Sequence, residues 1–302
     1  MKQILWAAKG FTTDLDEELR RQNIVPLSKQ DDVYLIDAKQ TRFTWTEAIA
    51  THVEILRFES VAKAQALLRA RGKLWSQAPL ANFRRSELIA SELLQPKFKK
   101  RRFLEPVPKG PLGVFCVTGE NEMWVSPNLQ PPVPVGAWEF EEDREAPSRA
   151  YLKLWEIFTR EGWAPRKGER CLELGSAPGG WTWVLDRLGC EVIAVDKGEM
   201  DPRVLASKRV RWLRQDAFAP DLGQVGPVDW FFSDLICYPP RLLELVKDWA
   251  DRGLARRFVC TLKFQGETDF AALDEFLRLP GSKALHLHHN KHEVTWIWLK
   301  DS

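Results

Sequence analysis

The sequence predicts an α/β protein in which a doubly wound sheet follows a smaller α+β domain. Two observations predict the sheet: strand and helix patterns alternate regularly after about residue 149, and the glycine-rich turn Gly175-Ser-Ala-Pro-Gly-Gly180 joins an apolar strand to an amphipathic helix. Before residue 126 the order of elements is irregular. We therefore expect an N-terminal domain over 1–125, a linker over 126–147 and a second domain over 148–302.

The N-terminal domain is predicted from short apolar runs separated by polar turns, and it has room for two subdomains. Residues 46–57 are expected to be helical and to pass into a strand near Val53–Phe58. The other expected elements are strands at Gln3–Ala8 and Val33–Ala38, helices at Thr13–Gln22, Val61–Arg71 and Ser86–Leu94, and a hairpin of Gly113–Val117 with Glu122–Val125.

The linker prediction depends on Ser126–Pro134, in which prolines recur, and on the acidic run that follows it. Proline removes a backbone donor, so this density of prolines argues against a regular element.

In the second domain, strands and helices follow one another with short turns. We expect strands at Arg170–Leu174, Glu191–Val195, Arg209–Arg214, Val228–Ser233, Arg257–Lys263, Ala284–His288 and Glu293–Leu299, and helices at Arg149–Arg160, Trp181–Leu188, Pro240–Arg252 and Asp269–Arg278. No long helix separates the last two strands, so an antiparallel hairpin at the sheet edge is expected.

The composition favours a folded protein with a sizeable core, because hydrophobic residues make up 44% and charged residues 28%. The net charge is only +2, so binding to nucleic acid would need a local basic patch. The five cysteines lack metal-ligand spacing and are interpreted as reduced, buried thiols of a cytoplasmic protein. No run is apolar enough to suggest a membrane span, and we expect a monomer.

The ends of three successive strands predict a nucleotide-like ligand. The loop lacks the Gly-x-Gly-x-x-Gly pattern of dinucleotide sites, which disfavours NAD without excluding it. Asp196 can accept ribose hydroxyls, while Asp216 and the adjoining Phe218 suit an adenine base. A cofactor without phosphates, S-adenosylmethionine, fits best. The predicted cofactor residues are Gly175, Ser176, Ala177, Pro178, Gly179, Gly180, Trp181, Asp196, Asp216, Ala217 and Asp234.

Four charged residues interrupt apolar patterns at the same predicted sheet edge: Lys153, Asp234, Lys263 and Glu293. Each alone is compatible with an ordinary solvated position. Together they suggest a lysine whose pKa is lowered by burial and by a second ammonium group, so that its neutral amine acts as a base, with the carboxylates orienting it.

The domain resembles the FtsJ-type ribose 2′-O-methyltransferases in its loop, Gly175–Trp181, and in the Lys-Asp-Lys-Glu set formed by Lys153, Asp234, Lys263 and Glu293. The resemblance implies a Rossmann-like class I methyltransferase sheet, S-adenosylmethionine as cofactor, and methylation of RNA, with 23S rRNA as the expected substrate. It also implies that Lys263 takes the proton of the 2′-hydroxyl. Ala150 departs from the family pattern, which has a serine near the cofactor there.

For the N-terminal region, the resemblance implies a ferredoxin-like part and a shortened THUMP-like RNA-binding part. The run Lys97-Phe-Lys-Lys-Arg-Arg-Phe103 is the predicted RNA-binding segment, through Lys97, Lys99, Lys100, Arg101 and Arg102, because basic groups neutralise phosphates and aromatic rings stack on bases.

Two other functions stay open: a non-catalytic RNA-binding protein that keeps the fold, and a small-molecule O-methyltransferase. The histidines at 286, 288, 289 and 292 lack the spacing of a zinc site, so no metal is expected.

Overall fold

The computed structural model describes residues 1–40, 42–78, 80, 82–97 and 99–300, without the side chain of residue 222. The chain divides into two compact units, Met1–Glu141 and Glu142–Ser302. The division lies inside the predicted linker. Among the described residues, no helix is both long and apolar enough to cross a membrane.

The N-terminal unit contains two sheets. Its elements are β1 (Lys2–Ala7), α1 (Thr12–Arg21), β2 (Ser28–Gln30), β3 (Val33–Asp37), β4 (Thr46–Thr51), β5 (Glu54–Arg57), α2 (Val61–Arg69), β6 (Trp75–Gln77), α3 (Phe83–Ala90), β7 (Gly113–Gly119), β8 (Glu122–Ser126) and β9 (Asn128–Gln130). One sheet has the order β2-β3-β1-β4-β9 and the other the order β5-β8-β7-β6. β7 and β8 form the predicted hairpin.

The helix predicted over 46–57 is wrong, whereas the strand expected near Val53–Phe58 is present as β5. This segment forms β4 and β5, separated by His52 with a φ of +58°. β4 pairs with β1 on one side and with β9 on the other, so the two neighbouring strands complete its backbone hydrogen bonds. Pairing of this kind overrides the helical preference of the Glu-Ala-Ile-Ala run.

The proline-rich segment also differs from the sequence interpretation, because β9 is a regular element inside it. Asn128 donates through its side-chain amide to Thr51 Oγ1 at 2.8 Å, and Ser126 Oγ donates to the Thr51 carbonyl oxygen. Pro127 and Pro131 flank the three-residue strand and do not interrupt it. A strand can therefore form at the sheet edge between prolines.

The C-terminal unit has the predicted alternation. Its elements are α4 (Tyr151–Glu161), β10 (Arg170–Leu174), α5 (Gly180–Arg187), β11 (Glu191–Val195), α6 (Pro202–Leu205), β12 (Val210–Leu213), α7 (Leu222–Val225), β13 (Trp230–Ser233), α8 (Pro239–Asp251), β14 (Arg257–Lys263), α9 (Phe270–Leu277), β15 (Lys283–Leu285) and β16 (Glu293–Leu299). The short helices α6 and α7 were not predicted.

Seven strands of this unit form one sheet in the order β12-β11-β10-β13-β14-β16-β15. The first five run parallel, and β16 lies antiparallel to both β14 and β15. This confirms the predicted doubly wound sheet and the antiparallel pair at its end. The strand order reverses between β10 and β13, and open α/β sheets bind ligands beyond the carboxyl ends of strands at such a point.

Candidate active site

The loop after β10 requires glycine at two positions. Gly175 has a φ of +78°, and a Cβ there would lie 3.0 Å from the backbone N and Cα of Leu235. At Gly180 a Cβ would lie 2.5 Å from Ser148 Oγ. A Cβ would therefore be closer to its neighbour than real Cβ atoms come at Gly180, and tighter than nearly all such contacts at Gly175. The two glycines leave bare backbone where β10 and β13 end side by side.

Asp196, at the end of β11, holds this loop. Its Oδ2 accepts a hydrogen bond from the Ala177 N–H at 2.9 Å, and its Oδ1 accepts one from the Gly198 N–H at 2.7 Å. A carboxylate oxygen can accept more than one hydrogen bond. Asp196 can therefore fix the loop and still accept from a ligand hydroxyl.

Asp216, after β12, is an ionised acceptor. A hydrogen bond and ion pair with Lys197, at 2.7 Å, together with the Phe218 N–H, lower the pKa of its carboxyl. The Arg241 guanidinium lies 3.6 Å from the centroid of the Phe218 ring. Ala217, between them in sequence, is buried. The predicted carboxylate and aromatic ring thus stand at one strand end, with one cation beside each.

The side chains of Ser176 and Trp181, in the same loop, are buried against the protein. The Ser176 side chain is buried, and its hydroxyl contacts Met200 Sδ at 3.5 Å. The Trp181 indole is buried in the core, where it donates to the Ala150 carbonyl oxygen at 2.9 Å and meets Phe232 edge-on. Ala177–Pro178 is a cis peptide bond. Trp181 can therefore serve a ligand only through its N–H in the first turn of α5.

The structure brings the four predicted charged residues into one cluster. Lys153 Nζ, on α4, lies 2.7 Å from Glu293 Oε1 and 3.1 Å from Asp234 Oδ1. Lys263 Nζ donates to the Asp234 carbonyl oxygen at 2.6 Å and lies 3.0 Å from Asp234 Oδ1. Lys263 and Glu293 face each other across the β14–β16 ladder. Two lysines and two carboxylates thus meet in one cluster.

The lowered pKa expected for one lysine of the cluster does not apply to Lys153. Burial by itself lowers the pKa of its ammonium, but the charges of Asp234 and Glu293 outweigh burial, and the pKa is raised above 10.5. Lys153 therefore stays protonated at neutral pH. Its ammonium contacts three carboxylate oxygens, which occupies its donors.

Glu156, which lies one helical turn after Lys153 on α4, was not predicted from the sequence. Its buried carboxylate accepts from the N–H groups of His288 and His289 at 2.8 and 3.2 Å and forms an ion pair with Arg160 at 2.7 Å. Burial raises its pKa, but Arg160 and the histidine contacts outweigh burial and lower it. Glu156 thus ties the turn before β16 to the helix that carries Lys153.

The histidines contact neighbouring protein groups in this region. His286 contacts the Lys291 carbonyl oxygen at 3.0 Å and His292 contacts Thr268 Oγ1 at 2.9 Å. Among the residues that the structure describes, no group of three or more histidine, cysteine or acidic side chains is arranged to hold a metal ion.

The predicted RNA-binding segment lies in the N-terminal unit and is paired with acidic residues of that unit. Ion pairs join Lys99 to Glu105 at 2.5 Å, Lys100 to Glu139 at 3.6 Å and Arg102 to Glu141 at 3.3 Å. Arg101 is half-buried over the Trp138 ring, and burial lowers the pKa of its guanidinium. Lys97 is exposed, and Phe98 lies outside the described residues.

Sequence reasoning also missed Arg241 and Lys197 beside the predicted adenine pocket. Arg241 lies 23 positions after Phe218, in the first turn of α8, and only the fold brings the two together. Lys197 directly follows Asp196, so its position after a predicted strand could have indicated that it lies near the ligand site.

Comparison with known proteins gives a consistent set of matches. The profile of FtsJ-like methyltransferases matches residues 146–250. Ribosomal RNA large subunit methyltransferase M from Methylococcus capsulatus is 30% identical over 350 aligned positions, covering 97% of this chain and 96% of that protein. The protein of that name from Xanthomonas axonopodis is 31% identical, over 76% of this chain and 72% of that protein. The one from Aromatoleum aromaticum is 35% identical, over 54% of this chain and 48% of that protein.

Proposed function

We propose a function from one premise: the chain belongs to the family of ribosomal RNA large subunit methyltransferase M. The predicted resemblance to FtsJ-type enzymes is thereby confirmed, and with it the prediction of an RNA methyltransferase. The proposal is that this chain methylates a ribose 2′-hydroxyl of large-subunit rRNA. The observation that carries it is the cluster of Lys153, Asp234, Lys263 and Glu293 beside the glycine loop.

The residues after β10, β11 and β12 fit S-adenosylmethionine. Gly175 and Gly180 keep side chains away from the loop, so a ligand can approach the backbone. Asp196 is placed to accept from ribose hydroxyls and Asp216 from the exocyclic amine of adenine, with Phe218 available for stacking. When bound, S-adenosylmethionine supplies the electrophilic methyl group.

Lys263 is the residue that meets the acceptor hydroxyl. Its side chain is 19% exposed, against 11% for Lys153, and the donors of Lys153 are already directed at carboxylates. In its neutral amine form, Lys263 accepts the proton that the 2′-hydroxyl loses as the oxygen becomes a nucleophile. Proton transfer by a positioned side chain typically contributes about 10²–10⁴-fold to a rate.

Lys153 acts as a fixed positive charge. It remains protonated between Asp234 and Glu293, so it stabilises negative charge that develops on the acceptor oxygen. Asp234 links both lysines, and Glu293 fixes Lys153 from the other side. These two carboxylates position the amines and do not themselves exchange protons with the substrate.

The variant Lys263→Ala tests this assignment. We expect methyl transfer to RNA to fall by about 10²–10⁴-fold, because the proton acceptor is lost. The affinity for S-adenosylmethionine, measured by calorimetry, should change by no more than a factor of about two. A tenfold change in affinity corresponds to about 1.4 kcal/mol, and the binding free energy should change by far less than that.

Lys283→Ala is the matched control, since Lys283 lies in the same unit and forms an ion pair with Glu161 away from the cluster. This control should retain wild-type activity. Full activity of Lys263→Ala would show that the cluster has been assigned wrongly.

The nature of the substrate needs a separate test. Purified protein and tritiated S-adenosylmethionine should label RNA from cells that lack the gene, and mapping should place the label on a ribose 2′-oxygen. Label on a base would contradict the proposed acceptor, and absence of label from all RNA would contradict the proposed function. The cytoplasmic location remains a prediction that accompanies an rRNA substrate.

A further inference from the structure

Two large hydrophobic side chains stand in solvent beside Asp234. Ile236 is 80% exposed and Tyr238 is 65% exposed. Among the described residues of Glu142–Ser302, only one other large hydrophobic side chain, Leu277 at 37%, is exposed. Isolated exposed apolar residues are common in proteins, but here two occur within four residues of the acceptor site.

The segment that carries them is held at both ends. The Asp234 N–H donates to the Leu174 carbonyl oxygen at 3.1 Å, and the Asp234 carbonyl oxygen accepts from Lys263. At the other end, Tyr238 has an extended backbone, with φ −68° and ψ 136°, and Pro239 begins α8. The prolines restrict φ, so the end of the segment has little freedom to rearrange.

Between these ends the side chains alternate. Cys237 and Pro239 are buried, whereas Ile236 and Tyr238 are exposed. Burial of alternate residues fixes the segment to the unit and directs the other two side chains outward. A chain spans at most about 3.6 Å per residue, so Ile236 lies within roughly 7 Å and Tyr238 within roughly 14 Å of Asp234. That spacing is comparable to the size of one nucleotide and its neighbour.

We propose that Ile236 and Tyr238 form a nucleobase subsite that holds the acceptor nucleotide, or the base next to it, by stacking. This inference rests on the proposed function, because it takes Lys263 and Asp234 as the point where the 2′-hydroxyl reacts. A phenol ring and a branched aliphatic group match the flat apolar face of an unstacked base. RNA-binding proteins commonly stack single-stranded bases on aromatic side chains, the part that Tyr238 would play here, while Ile236 would pack beside it.

The subsite explains how a weakly charged unit can position its substrate. Stacking acts on the face of a base, so it tolerates any of the four bases and positions the ribose without reading sequence. The site of modification would then be selected by other parts of the protein. Holding the base fixes the sugar beside Lys263, and such positioning contributes strongly to rate.

The test compares steady-state methylation of a short single-stranded RNA by Tyr238→Ala, Ile236→Ala and Tyr238→Phe. Removing the ring should raise KM for RNA by about 5- to 100-fold, the usual effect of losing one stacked base. The affinity for S-adenosylmethionine should not change. Tyr238→Phe should restore the wild-type KM, because the ring and not the hydroxyl makes the contact.

Leu277→Ala is the control, since it removes an exposed apolar side chain from α9 of the same unit and should leave KM unchanged. A second measurement is photochemical cross-linking of 4-thiouridine RNA to the wild-type protein, which should mark a peptide containing residues 236–238. An unchanged KM in Tyr238→Ala, or cross-links only to other peptides, would overturn the subsite. The proposed function would still stand if the wild-type protein methylates RNA. If the wild-type protein neither methylates nor cross-links RNA, both proposals fail.

Discussion

Glu173 is a carboxyl group that the fold keeps neutral. It lies on β10, fully within the interior, and the Thr182 hydroxyl donates to its Oε2. Burial raises its pKa well above 4.5, and the nearby charges of Asp234 and Asp196 raise it further, although Thr182 opposes the shift. Because Glu173 stays protonated, it adds no third negative charge beside those of Asp196 and Asp234, behind the glycine loop.

This predicts a specific pH dependence of stability. The folded pKa of Glu173 lies above the unfolded value, so its contribution is fully present below about pH 4.5 and is lost as pH rises toward the folded pKa. Glu173→Gln removes the titration and keeps an oxygen that accepts from Thr182. The free energy of unfolding of Glu173→Gln should equal that of the wild type near pH 4 and exceed it increasingly above pH 4.5, by at most about 1.4 kcal/mol per pH unit.

Urea titrations between pH 4 and pH 8 measure this difference. Glu191→Gln provides the control, because Glu191 is exposed at the start of β11 and its neutral variant should follow the wild type. Equal stability of Glu173→Gln and the wild type across the whole range would mean that Glu173 is ionised in the folded protein.

At the scale of residues, the sequence could predict the charged cluster because each member ends or interrupts an apolar run. It could not predict the protonation of Lys153, since that depends on two carboxylates reaching one ammonium from β13 and β16. Nor could it predict Glu156 as an anchor, because a glutamate on a helix gives no sign that a turn 132 residues later donates to it.

At the scale of elements, the junction of β10 and α5 depends on contact with the start of the segment after β13. Gly175→Ala would introduce a Cβ 3.0 Å from the Leu235 backbone at a φ of +78°. Because Leu235 adjoins Asp234, a shift of Leu235 that relieves the contact also displaces a member of the charged cluster. We expect Gly175→Ala to lose methylation activity, by less than the roughly 10²-fold that a displacement of about 1 Å causes, and to unfold at lower urea concentration.

Gly162→Ala separates steric contact from backbone strain. Gly162 has a φ of +70°, close to that of Gly175, but nothing lies within 4 Å of its Cβ position. This variant should lose only the roughly 1 kcal/mol of a non-glycine residue in the left-handed region and keep full specific activity. Similar activity losses in both variants would show that strain, and not contact with Leu235, is responsible.

The strands and longer helices of the C-terminal unit were predictable because short apolar runs alternate with helical patterns, whereas α6 and α7 are too short to leave such a pattern. The N-terminal unit was harder, and residues 46–57 show why. The helical composition of Thr46–Thr51 is outweighed by pairing with β1, 39–48 positions earlier, and with β9, 77–81 positions later. Local preference does not contain such long-range contacts.

For the whole molecule, the net charge of +2 means that RNA binding depends on where the positive charges lie. The predicted segment 97–102 is not a free basic arm, because Glu105, Glu139 and Glu141 pair with its side chains. Exposed ion pairs of this kind contribute only about 0–1 kcal/mol, so phosphate groups can replace the carboxylates. The segment can thus still bind RNA, at the cost of breaking these pairs.

The salt dependence of the affinity for RNA shows whether residues 97–102 contact phosphates or only form ion pairs within the protein. If Lys100 replaces Glu139 by a phosphate on binding, Lys100→Ala should lower the slope of log affinity against log salt concentration by about 0.7–0.9, the contribution of one phosphate contact. Lys29→Ala is the matched control, since Lys29 is also an exposed lysine of the N-terminal unit paired with a carboxylate, that of Asp16. The slope of the Lys29→Ala variant should equal that of the wild type.

Fluorescence anisotropy with labelled rRNA fragments at about 50 to 300 mM salt measures the slopes of both variants and of the wild type. Phosphate contacts change the affinity strongly in about this range of salt concentration. Parallel plots for Lys100→Ala and the wild type would show that Lys100 makes no phosphate contact in the complex.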